Sequence, residues 1–335
     1  MEANFQQAST LRLIVGGDVM LGRNVKEYIL RAGPGYPLGP VAPLMRSADL
    51  TIVNLECAIT SSLDHWPGAR KAFYFGAPPQ AIETLIGAGV DMVSLANNHA
   101  LDFGTEGLLD TLAALRSHGI RYAGAGADLD EALTPAIVDC KGIRFGMAAF
   151  CDHQADFAAG KGRPGIAWLN FDNESAVEAA WRRALERLID AGADWNILSL
   201  HWGPNMISRP SDKFRRLAHE AIDMGWSILF GHSAHVFHGI EIHRGRPILY
   251  AAGDLVDDYR VDAEFRNDHQ LLIELALTRD ALESIFLHPV FIDDCQTRHA
   301  EAEQRKCILD RMKALCEEMG TTVQFDSAHA WIAMD

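Results

Sequence analysis

The stretch LRLIVGGDVMLGR, residues 11–23, decides the fold. An apolar run from Leu11 breaks at Gly16-Gly17 and delivers an acid, Asp18, where a buried strand ends. Four more stretches repeat the arrangement. TIVNLE (51–56) closes on Asn54 and Glu56, and MVSLANNH (92–99) on Asn97, Asn98 and His99. NILSLH (196–201) closes on His201, and SILFGHSAH (227–235) on His232 and His235. Short apolar runs bounded by glycine and polar residues predict strands over 11–16, 50–55, 92–95, 196–200 and 227–230.

Between these runs the apolar spacing changes from continuous to helical. A helix is predicted from Thr105, as its cap, through Leu115, with Leu108, Leu109, Leu112 and Leu115 on one face and Gly119 beyond it. A second spans 174–190, with Val177, Trp181, Leu185 and Leu188 on its stripe and Gly192 as its stop. A third covers 211–224 and ends at Gly225. This alternation predicts a parallel inner sheet covered by helices. Downstream, 240–243 with 247–251, and 271–277 with 284–291, read as hairpins of a second, more antiparallel sheet. The expected fold class is therefore α/β, a two-sheet sandwich flanked by helices. One domain over 10–295 is expected, followed at 296–335 by a C-terminal helix (301–319) and tail packed on it.

Composition narrows the function. The 335 residues carry 30 Lys and Arg against 45 Asp and Glu, a net charge of −15 that opposes general affinity for nucleic acid or anionic membranes. No apolar stretch reaches the length of a membrane span, and residues 1–20 lack the pattern of a signal peptide. The six cysteines (57, 140, 151, 295, 307, 316) form no CxxC pair, as expected of reduced thiols in a cytoplasmic protein. Cys57 beside Glu56 reads as a small buried residue.

In open α/β sheets, sites gather at the carboxyl ends of the strands. Five segments here deliver carboxylate, amide or imidazole to such ends, the donor types of a mixed N/O metal site or of proton transfer. Arg23 offers a planar fork for a phosphate or carboxylate. Trp202 offers a flat face for substrate or for packing, and His238 a rim group. His65, His153 and His269 fall in predicted loops, are expected to be solvated, and receive no role.

The blocks GDVMLGR (17–23), NLECAIT (54–60), LANNHALDFG (95–104), HWG (201–203) and GHSAHVFHGIE (231–241) resemble, in order, those of the CapA family of capsule (poly-γ-glutamate) biosynthesis proteins. The likeness covers roughly 11–260. It implies a metallo-dependent phosphatase-like fold of the calcineurin-like metallophosphoesterase superfamily, with two divalent ions, Mn, Fe or Zn. It further implies that Asp18 and His235 bind the first metal, that Glu56 bridges, and that Asn98, His201 and His232 bind the second. His99 would be the proton donor and Asp102 its orienting carboxylate, with Arg23, Asn54, Trp202 and His238 near substrate. The sequence departs from the wider pattern at Met20, where a histidine ligand is usual. In the segment Gly253–Tyr259, which resembles the family's Gly-Asn-Phe, it carries extra acid. The membrane anchor typical of the family is not seen.

Three functions are compatible with these residues. The leading expectation is a metal-dependent hydrolase of a phosphoester or related anionic substrate. The second is a metal-independent epimerase that moves a peptide α-proton between His and Asp residues. The third is a non-catalytic binding protein for poly-γ-glutamate or capsule polymer. A small anionic or peptide substrate and a homodimer are the expected partners.

Overall fold

Strand pairing in the computed structural model, which describes residues 10–334, follows two sheets that divide the site-bearing strands between them. Across the ten-stranded sheet lie Gln324–Phe325, Ala330–Ala333, Leu282–Asp293, His269–Leu277, Leu11–Val19, Leu50–Leu55, Met92–Ser94 and Arg121–Ala123. Asp254–Val256 pairs with Leu11–Val19, and Gln296–His299 with Leu282–Asp293. The strands from Leu11–Val19 to Arg121–Ala123 are mutually parallel, while Leu11–Val19 meets His269–Leu277 antiparallel. The six-stranded sheet runs Ile240–His243, Arg246–Leu249, Ile228–His232, Trp195–His201, Ile143–Cys151 and Ala136–Cys140.

The two expected sheets are present, but the five site-bearing strands, expected to share the parallel one, are divided between them, and both sheets are mixed. The hairpin Ala136–Cys140/Ile143–Cys151 founds the second one, and its apolar run, which ends at Asp152-His153, is not among the strands expected from the sequence. Trp195–His201 pairs in parallel with Ile143–Cys151 and is thereby separated from Met92–Ser94. The hairpin Ile240–His243/Arg246–Leu249 joins this second sheet, whereas His269–Leu277/Leu282–Asp293 extends the first. The boundary expected at 295/296 falls in the turn between Leu282–Asp293 and Gln296–His299. Residues beyond it form the helix Ala302–Glu318 and supply strands to the larger sheet.

Period-two alternation explains why the site histidines turn inward. Ile197 joins the apolar interior shared by both sheets, with Val15, Val53 and Phe230, while Leu198 and Leu200 pack outward. The outward face is covered by Glu174–Asp190 and Asp212–Met224, through Val177, Trp181, Leu185, Leu188 and Leu217. Ser199 and His201 share the face of Ile197, and His232 that of Ile228 and Phe230. Each buried Leu or Ile contributes roughly 1.5–3 kcal/mol, so a one-residue slip, which would turn the histidines outward, is strongly opposed.

Helix ends follow local chemistry. Ser211 and Asn173 accept the capping N–H groups of Phe214 and Ala176. Thr105, the expected cap, lies inside Gly104–Ser117, which starts after Phe103 without a side-chain cap. The C-terminal helix Ala302–Glu318 buries Ile308, Met312 and Leu315 in the common core. Among the described residues no helix is long and apolar enough to cross a membrane.

The first strand changes register between Val15 and Asp18 against Leu50–Leu55, an irregularity that spans Gly16 and Gly17 and re-aims Asp18. A Cβ on Gly17 would lie 1.9 Å from the carbonyl oxygen of Gly253. That contact admits only glycine, and it lets Asp18 N–H donate to the same oxygen at 2.9 Å.

Candidate metal centre

Parallel register sets ligand-type side chains shoulder to shoulder. Asp18 pairs with Asn54 on one side and Asp254 on the other, and His201 pairs with His232. Adjacent strands lie about 4.8 Å apart, so paired side chains reach one ion. Asp18, His201 and His232 each bring a ligand atom within 4.8 Å of the others, and so do Asp18, Glu56, His235 and Asp254. Asp18 belongs to both groups. Glu56, expected to bridge, belongs to the carboxylate-rich group and stands 4.0 Å from His201 Nε2.

Backbone and amide donors fix these groups. Asp18 Oδ1 accepts from Asn54 Nδ2 at 2.7 Å, and Oδ2 from the Ser233 N–H at 3.2 Å. Asn97 Nδ2 donates to Asn54 Oδ1, while Asn97 Oδ1 accepts the His99 N–H. The loop after Ile228–His232 is strained. Ser233 has φ 102° and His235 φ 59°, values that non-glycine residues rarely adopt and that cluster at functional sites. That loop brings His235 Nδ1 to 3.0 Å from Asp254 Oδ1.

The donors fit a divalent cation. Glu56 is buried, yet neither carboxylate oxygen accepts a hydrogen bond, and Asn98 Oδ1 and Asp254 Oδ2 are buried without a donor as well. Uncompensated buried anions cost several kcal/mol each, roughly, and a metal ion is the partner that relieves several at once. Burial pushes the carboxyls of Asp18, Glu56 and Asp254 up, and the Asp18 charge adds to this at Glu56 and Asp254. Burial holds His232 down at about 3 and takes His201 and His235 below the ordinary value. All three are neutral at pH 7, the state that ligates metals. Their Nδ1 and Nε2 atoms have other neighbours too: Ser199 Oγ lies 2.9 Å from His232 Nε2, and the Nδ1 atoms of His201 and His232 stand 2.8 Å apart.

Beside the carboxylates lies a proton-handling network. His99 Nδ1 is 2.5 Å from Asp102 Oδ2, and Asp102 Oδ1 is 2.5 Å from Lys71 Nζ. The Phe75 N–H also donates to Asp102, at 2.7 Å. With Nδ1 engaged, Nε2 is the free atom of His99, 3.8 Å from Glu56 Oε1. Burial takes His99 down to about 4. A cavity of about 760 Å³ opens onto His99 and His235, walled by Arg23, Phe73, Phe75 and Tyr259. The Arg23 guanidinium lies 4.7 Å over the Phe73 ring, and its Nε is 3.4 Å from Asp258.

Three residues expected near substrate lie elsewhere. Asn54 is fully buried, with both ends of its amide engaged by Asp18 and Asn97. Trp202 packs outward against Phe171, Phe214 and Tyr250 and donates from Nε1 to the Tyr250 carbonyl, because it alternates with His201. His238 is buried, pushed down to about 4 by burial, and holds the Ile207 carbonyl at 2.8 Å. Two histidines expected to be solvated are instead engaged by the protein. His269 is buried at a strand start, and His153 bonds Asp152 and the Gly203 carbonyl with its ring edge-on to His201. Cys57 is a buried thiol pushed up to about 12 by burial.

Sequence reasoning passed over Lys71 and gave Asp254 no role of its own. The acid run after the apolar 247–251 segment was the available signal for Asp254. Lys71 lies in an irregular segment whose spacing carries none.

A family model described as bacterial capsule synthesis protein PGA_cap matches residues 12–259. A probable polyglutamine synthesis accessory protein of Mycobacterium tuberculosis is 32% identical over 93% of this chain and 92% of its own length. The capsule biosynthesis protein CapA of Bacillus anthracis is 28% identical over 74% of this chain and 60% of its own. The PGA biosynthesis protein CapA of Bacillus subtilis is 29% identical over 72% and 62%. The chain thus spans about three fifths of these two relatives. Among solved structures, a 5'-nucleotidase precursor from Thermus thermophilus aligns at TM-score 0.44 and 14% identity, over 93% of this chain and 59% of that one. That likeness is too distant to assign any residue a role.

Proposed function

The chain belongs to the bacterial capsule synthesis protein PGA_cap family, and from that premise we propose that it is a metal-dependent hydrolase of a phosphoester or a related anionic substrate. The observation that carries this reading is the pair of ligand groups sharing Asp18, set beside His99 and His235 on one cavity. Asp18, Glu56, His201, His232, His235 and Asp254 would hold the ions, with the Asn98 amide oxygen available to them. When bound, such ions polarise a phosphoryl oxygen and generate hydroxide from water near neutral pH.

The chain's own residues supply the rest. Arg23, at the cavity wall, offers its guanidinium to the anionic group of the substrate. Asp102, fixed by Lys71 and the Phe75 N–H, holds His99 with Nε2 toward the cavity. An anion entering there favours the protonated form of His99, and Nε2 then carries the proton that a leaving oxygen requires. Phe73, Phe75 and Tyr259 narrow the chamber and reduce its water.

The test is hydrolysis of p-nitrophenyl phosphate and its diester by metal-loaded protein. Activity is expected with Mn, Fe or Zn, to vanish on chelation and return on reloading, and to fall roughly 10²–10⁴-fold in His99→Ala. Turnover that persists after complete chelation contradicts the proposal.

A metal-independent epimerase keeps one specific support: His99 and His235 line one chamber, where one would accept the α-proton of a peptide and the other, protonated, would return one. Solvent deuterium in recovered peptide from metal-free protein distinguishes it from the hydrolase.

A further inference from the structure

We propose that the two ion positions differ in chemistry, and that Asp254 makes the carboxylate-rich one selective for a hard cation of the Mn²⁺ or Mg²⁺ type. The inference rests on the metal-dependent reading above and specifies it.

The position between Asp18, Glu56, His235 and Asp254 offers three carboxylates and one imidazole. The other, between Asp18, His201 and His232, offers two imidazoles and a shared carboxylate. Imidazole favours Zn and Fe, whereas carboxylate oxygen suits Mg and Mn. Asp254 is placed for this by pairing directly with Asp18 in parallel register and by the close approach of Gly253 to Gly17. It is fully buried, its Oδ1 is 3.0 Å from His235 Nδ1, and its Oδ2 meets no donor. Met20, by contrast, is buried with its sulfur 3.1 Å from the Gly22 nitrogen, and it presents no hard donor. The carboxylate of Asp254 therefore adds a hard ligand to this position where Met20 offers none. Its neighbour Asp257 is also buried, with Oδ2 unpartnered. Against two divalent ions, the three ligand carboxylates leave a centre close to neutral.

The test uses full-length protein stripped by chelation, given one equivalent of Zn²⁺ and then excess Mn²⁺, and followed by elemental analysis and Mn²⁺ EPR. Wild type is expected to retain one Zn and one tightly bound Mn per chain. Asp254→Asn should weaken Mn binding at least tenfold with Zn unchanged, and His232→Ala should lose Zn and keep Mn. Metal-free Asp254→Asn is expected to melt no lower than wild type, since a crowded carboxylate has been removed. If that variant does not fold, His235→Gln probes the same position from its imidazole side, with the same expected loss of Mn. Unchanged Mn affinity in the folded variant, with two ions in wild type, overturns this inference alone. No ion bound by wild type overturns it together with the hydrolase reading.

Discussion

Asp18 and Asp254 stand side by side in parallel register, both carboxyls withdrawn from solvent, with His235 within 3.8 Å of the first and 3.0 Å of the second. Like charges so placed destabilise a chain unless a cation or protons lie between them. A bound ion resolves that conflict without neutralising the ligands.

One consequence is thermal. A divalent ion that binds only the folded chain stabilises it by about 2.7 kcal/mol at a hundredfold excess over its dissociation constant. Scanning calorimetry of stripped protein is expected to show the melting temperature rising with added Mn²⁺ or Zn²⁺. The rise should be absent in a double variant lacking His201 and His235.

Lys71 is a positioning residue: it bonds Asp102 and the Asn98 carbonyl, and its Nζ stands 3.3 Å from His99 Nδ1. Replacing Lys71 with Met leaves the Asp102–His99 pair without its anchor. Turnover should fall roughly 10–100-fold with metal content unchanged. A kcat equal to wild type would show that Asp102 is held sufficiently by the Phe75 N–H.

Phe73 and Trp202 separate wall from core. Phe73 is 54% exposed at the cavity mouth and Trp202 only 4% exposed in the outward-facing core. Trp202→Ala is expected to cost about 3–5 kcal/mol in denaturant unfolding. Phe73→Ala should shift stability by no more than about 0.5 kcal/mol and should raise KM instead.

Far from the centre, Glu274 gives a pH signature. Although burial pushes it up, hydrogen bonds from Arg12 and His288 bring it down to about 2. A carboxylate depressed in the folded state stabilises above its ordinary unfolded value of 4.5, and loses that contribution as pH falls toward 2. Glu274→Gln should therefore be less stable by roughly 2 kcal/mol at pH 7. Its unfolding midpoint should converge with that of wild type as the pH drops through this window.

Much of this architecture was legible in the chain. The strands at Leu50–Leu55 and Trp195–His201 and the helix Glu174–Asp190 announce themselves by unbroken apolar runs or a clean stripe. Which sheet each strand joins was not legible, because pairing of Ile143–Cys151 with Trp195–His201 depends on long-range register that a local pattern does not carry. Strand-end position singled out Asp18, Glu56, His201 and His232, and the fold brings these four together. It misled at Asn54 and Trp202, since spacing reveals neighbours along the chain but not which face of a strand is covered. Asp254 enters through pairing with a strand more than two hundred residues earlier, and Lys71 through a single long side chain folded back onto Asp102.

The most direct measurement is a crystal structure of metal-loaded protein with anomalous data collected at the Mn and Zn edges. Two peaks flanking Asp18 are predicted, one bounded by Glu56, His235 and Asp254 and the other by His201 and His232. Density for ions elsewhere, or a site between these residues that stays free of metal at saturating concentrations, would contradict it.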